Sequence, residues 1–159
     1  MLSTTAASDP RMSKAADVEY VRHAESLLAI ILPANFRDPG IHFFTPNDFS
    51  QQLACMCHPS GKIILPHVHN QVPREVQYTL EVLFIKRGKI RVDFYEANER
   101  YLESRILFTG DVILLAAGGH GFEVLEETEM IEVKQGPYAG EEDKRRFEGI
   151  SAESVRFRR

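Results

Sequence analysis

No stretch of this chain is apolar for long enough to span a bilayer; the longest such run, Ser26–Pro33, falls well short of the roughly 20 residues required. Basic charge is not in excess, with a formal net charge of −4 and a pI near 5.9, which argues against nucleic acid as a partner. The first residues, Met1–Asp9, lack the charged-then-apolar pattern of a secretory leader. The expectation is a cytoplasmic protein with no membrane or nucleic-acid partner. Cysteine is scarce: Cys55 and Cys57 would share a strand face and are poorly placed for a mutual disulfide. They lack the further ligands of a zinc site and read as small packing residues in a reducing compartment. No Ser-His-Asp arrangement, phosphate-cradling glycine loop or Cys-x-x-Cys stands out.

What is present is concentrated between Gly61 and Gly88. Ile63, Leu65, His67 and His69 share one parity, so a strand would point all four to one face. Glu81 opens a second β-rich run, and Leu83 and Ile85 share its parity. His120 follows a glycine-rich corner, with Phe122 and Val124 in the same phase. Three imidazoles and one carboxylate, each at the end of an inward apolar row, point to a metal site inside a β-barrel. Such a donor set suits a divalent first-row ion: iron, manganese, cobalt, nickel, copper or zinc.

These residues resemble the two half-motifs of the cupin family. Gly61, His67, His69, Glu81 and Gly88 fit the first, with a His-to-Glu interval several residues longer than usual. Gly110, Gly118 and His120 resemble the second, with Ala116 in the place of its proline and the histidine one residue early. The resemblance covers roughly residues 51 to 136. It implies an all-β fold, a single double-stranded β-helix or jelly-roll barrel, and a homodimer. It also implies His67, His69, Glu81 and His120 as metal ligands, and a small-molecule ligand or substrate. Activities open to such a protein include a dioxygenase or isomerase on a small organic or carbohydrate-derived molecule. The enzyme is the slightly favoured expectation and a non-catalytic binding or sensing role the alternative, because the fold alone does not choose.

Along the chain, residues 1–14 are small and polar and read as disordered, and 15–140 as one domain. Val18, Val21, Leu27, Leu28 and Ile31 fall near helical spacing and predict an N-terminal helix over 15–31. His23 would be a solvated residue of that helix. His42–Thr45 reads as an edge strand. Residues 53–58 and 62–69 predict a hairpin around Pro59–Ser60, placing Gln52 opposite His67 beside the metal. Residues 70–78 fill the long interval and carry Glu75, a rival acidic ligand to Glu81; the insertion reads as a flap or a solvated excursion. Ile90, Val92 and Phe94 should face inward and Lys89, Arg91 and Asp93 outward, with Phe94 and Phe122 near the pocket. Residues 120–125 and 130–135 predict a last hairpin around Glu126–Thr128. The tail, 141–159, places acids before bases and predicts a short helix. Outward apolar residues Ile64, Val82 and Phe84 call for a cover on the second face, such as a second subunit.

Overall fold

The computed structural model describes residues 16–158; the reading of residues 1–14 as disordered lies outside them. The described chain is mostly β with almost no helix, its main sheet curled into a half-barrel. Among the described residues eight strands run in order: β1 Glu19–His23, β2 Ser26–Leu32, β3 Gly40–Phe43, β4 Ala54–Cys57, β5 Glu81–Tyr95, β6 Tyr101–Phe108, β7 Val112–Leu115 and β8 Gly119–Lys134. The main sheet is ordered β1-β2-β7-β5-β6, with β8 paired along β5; β3 and β4 form a separate two-stranded ribbon. No helix among the described residues is long and apolar enough to cross a membrane.

The N-terminal helix is corrected to a hairpin. β1 and β2 pair antiparallel, turning at Ala24, whose φ is +48°. The reason is visible in Leu27–Ile31, which is apolar at every position and therefore carries no helical period to distinguish it from a buried strand. β2 lies between β1 and β7 and is covered on both faces. Leu28, Ala29 and Ile31 pack with Leu83, Ile85, Ile90, Val92, Phe94 and Leu107, while Leu27 and Ile30 join Leu53, Leu80 and Leu114 in a second cluster. Each fully buried side chain of this size contributes about 1.5–3 kcal/mol, so both faces are needed to hold the sheet. The segment that joins β3 to β4 covers the second cluster, with Leu53 a member of it and Phe44 and Phe49 packed against it.

β5 is the spine. Its first half, Glu81–Phe84, pairs with β7 on one side and with the end of β8 on the other. Its second half, Lys89–Tyr95, pairs with β6 and with the start of β8. Between the halves the β5–β8 ladder slips at Ile85/Arg87, Arg87/Lys89 and Lys89/Ile90. Gly88 sits in this irregularity at φ +95°, where a Cβ would meet Glu127 O at 2.3 Å. The slip moves the inward parity from Leu83 and Ile85 to Ile90, Val92 and Phe94, all of which are buried. The expected last hairpin is corrected for the same reason. Residues 126–128 are a bulged stretch of one continuous β8 facing Gly88, not a turn.

Arg91 and Asp93 do lie on the opposite face from Val92, but they are buried rather than exposed. Arg91 Nε and Nη2 donate to the two oxygens of Asp93 at 2.8 and 3.0 Å, and Ser104 Oγ donates to Asp93 as well. The tail reaches the neighbouring Ser104, whose N–H donates to Arg156 O at 2.9 Å. Among the described residues it has no α-helix, only two short 3-10 turns at Gly140–Glu142 and Ala152–Ser154. Elsewhere the tail is a strap across β5 and β6. Phe147 stacks on Tyr95, Ile150 N–H donates to Tyr95 Oη at 2.9 Å, and Phe157 bridges to Ser104.

Candidate functional site

Glu81 begins β5, and His120 lies opposite Phe94 near its other end. On a straight strand, residues 81 and 94 would lie roughly 40 Å apart. The curl of the sheet closes that distance: His120 Nε2 lies 3.1 Å from Glu81 Oε2. The pair is partly buried, with the Glu81 side chain 14% exposed and that of His120 30%. At this separation His120 Nε2–H donates to the carboxylate, leaving Nδ1 as the acceptor nitrogen. That hydrogen bond holds the Glu81 carboxyl below its usual range, against burial, which pushes the other way. Phe122 flanks the imidazole, with ring centroids 5.5 Å apart, and Phe94 is buried in the core behind it.

Lys134 is the residue that sequence reasoning missed. It is the ladder partner of Glu81, and its Nζ lies 3.5 Å from Glu81 Oε1 and 3.5 Å from Glu132. Desolvation would lower the ammonium's pKa, but Glu81 and Glu132 raise it above its usual range. The signal was present only in the β5–β8 register, which the sequence does not state. Glu81 thus has two partners, the His120 imidazole and the Lys134 ammonium, inside a concave face bordered by apolar residues. A carboxylate and an imidazole in contact can pass a proton to and from a bound molecule.

His67 and His69 lie elsewhere. The strand expected over 62–69 does not form; β4 pairs with β3 alone, so the ladder that would set Gln52 opposite His67 is not made. Gln52 is exposed and donates to Pro46 O at 2.9 Å. Every residue from Pro59 to Tyr78 is exposed and outside regular structure, and Glu75 lies on this arm with the two histidines. The His67 and His69 rings stand 5.1 Å apart, edge to face. His67 Nδ1 is 3.0 Å from Leu65 O, so Nδ1–H donates there and Nε2 is left to accept. Among the other histidines, His42 lies near Pro39 O and Asp38, His23 pairs with Glu96, and His58 Nε2 is buried with no hydrogen-bond partner. Nothing in the structure explains that last atom.

The expected ligand set therefore falls into two pairs, His67–His69 on the arm and Glu81–His120 in the sheet. Among the described residues no group of three or more His, Cys, Asp or Glu is placed to hold a metal ion. Two protein donors are short of the three or four of a first-row site. Within one chain the residues do not fit a bound ion. Comparison with protein-family models, with curated proteins and with solved structures found no match.

Proposed function

We propose that the protein is a cupin-like barrel whose function centres on Glu81 and His120. It takes a divalent transition metal with His67 and His69 and acts on a small organic or carbohydrate-derived molecule by oxygenase or isomerase chemistry. The observation that carries this reading is the 3.1 Å contact between two residues remote in sequence, Glu81 and His120, on the concave face of the sheet. The donor types on the arm and in the sheet match in chemistry what a borderline ion requires. Elemental analysis of tag-free protein tests it, together with Glu81→Ala and Glu75→Ala. Near-stoichiometric metal in the natural chain and the Glu75 variant, lost in the Glu81 variant, supports Glu81 as the acidic ligand. Iron would direct assays to oxygen uptake; zinc, manganese or nickel would direct them to isomerisation. No metal after reconstitution defeats the metalloenzyme reading.

A second reading rests on Lys134. A lysine 3.5 Å from Glu81 already balances the carboxylate's charge, which suits a metal-free pocket that binds a polar ligand without turnover. In that case ligands stabilise the fold saturably and yield no product, and Lys134→Met weakens them.

A further inference from the structure

The arm and β8 are each left with an open side. Along the arm, Ile63 is 75% exposed, Leu65 76% and Val68 89%, far from what apolar side chains in an alternating strand pattern normally show. The arm's hydrogen bonds among the described residues are local: Lys62 N–H to Pro59 O, His67 to Leu65 O and Arg74 to Val72 O. β8 pairs with β5 and presents its second edge to no strand among the described residues. Phe122, Val124 and Met130 share the inward face of that strand with the buried Val92, Ile90 and Ile85 opposite them, yet each is substantially exposed. The half-barrel is open where one more strand would close it. A free edge of this length is a template for an added strand.

We propose that two copies of the chain exchange their arms. Residues 61–69 of one copy add as a strand to the free edge of the partner's β8, and the inward row Ile63, Leu65, His67 and His69 completes the barrel. This rests on the metal-site reading for its chemical consequence: two histidines from one copy meet the Glu81–His120 pair of the other, and neither copy alone holds the set. The strand pairing itself rests only on the exposed arm and the open edge. Residues 61–69 and β8 together offer 25 residues from each copy, within the roughly 20–30 per side of a standard stable interface. Each exchanged arm would gain a backbone ladder and cover the apolar rows on both strands. The symmetry is two-fold, because each copy both gives an arm and receives one.

The test uses the full chain. Nitrogen-15-labelled and unlabelled protein are unfolded together in urea, refolded, and coupled with a carbodiimide, which joins lysine to carboxylate at contact distance. Lys62 is the arm's lysine, and Glu123, Glu126, Glu127 and Glu129 lie on β8. The Lys86–Glu129 pair, 3.1 Å apart within one chain, supplies a built-in control that links only like isotopes. Exchange predicts Lys62 links to β8 with about half of mixed isotope, as random two-fold pairing requires. It also predicts a solution mass twice 18.1 kDa. Replacing residues 62–77 by a short Gly-Ser linker should then return the mass to that of one chain. Like-isotope links alone, no link from Lys62 to β8, or a dimer that survives loss of the arm would each overturn the exchange. Failure of the metal reading is separate: mixed-isotope links in a protein that binds no metal uphold the exchange and remove only the metal.

Discussion

Replacing Gly88 by alanine should unfold the molecule's spine more than its chemistry suggests. The residue adopts φ +95°, and an added Cβ would sit 2.3 Å from Glu127 O, 2.5 Å from Thr128 Oγ1 and 2.7 Å from Thr128 Cα. The left-handed backbone costs an L-residue about 1–2 kcal/mol. Two of the three contacts are backbone atoms of β8, so relief requires the ladder to shift, at about 1 kcal/mol for each hydrogen bond given up. The total is about 3 kcal/mol, or a fall in Tm of about 6–12 °C for a domain of this size. Gly61→Ala is the matched control: φ is +83°, but nothing lies within 4 Å of the added methyl. The exposed arm can relax there, and a loss below about 1 kcal/mol is expected. Thermal unfolding followed by circular dichroism reads both. Equal shifts in the two variants, or a fall below about 3 °C in Gly88→Ala, would refute the claim that Gly88 sets the turn of β5 against β8.

Asp93→Ala removes the bidentate partner of the buried Arg91 and should cost about 3 kcal/mol, the lower part of the range for a broken buried pair, because Glu123 still faces the guanidinium; urea denaturation checks it, and a loss under 1 kcal/mol, on the order of a surface pair, would contradict the burial. Tyr95→Phe deletes the acceptor of Ile150 N–H and should lose about 1 kcal/mol while speeding proteolysis of the tail, with an unchanged cleavage rate arguing against the strap. Glu81 has a depressed folded-state pKa, so its contribution is present above the unfolded carboxyl value and is lost as pH falls through the folded one. The stability gap between the natural chain and Glu81→Gln should therefore narrow on acidification below about pH 4.5, and a gap that widens in acid would reverse the sign.

Much of the β architecture was legible where the alternation was clean. Ile90, Val92 and Phe94 face inward as their parity indicates. Glu81 shares the interior face of Leu83 and Ile85. Its contact with His120 depends on the curl at Gly88, which no local pattern measures. The failures have physical causes. Leu27–Ile31 is apolar throughout, so period could not separate a helix from a doubly covered strand. The arm looks like a strand because Ile63, Leu65, His67 and His69 alternate, but a strand requires pairing to a neighbouring edge, and in the described chain the arm pairs with none. Arg91 and Asp93 face outward as their parity indicates, but no local pattern shows that this face is buried as well.

Metal content of complementary variants addresses the central claim, that the arm and the sheet are two halves of one centre. His67→Ala/His69→Ala spoils the arm and Glu81→Ala/His120→Ala spoils the sheet. Each should bind essentially no metal alone, since two donors do not make a site. Refolded together in equal amounts, half of the dimers pair one of each, and each mixed dimer holds one intact arm against one intact sheet. The account predicts recovery of about one quarter of the natural chain's metal. No recovery in a mixture shown to contain mixed dimers would contradict it, as would either double variant keeping its metal alone.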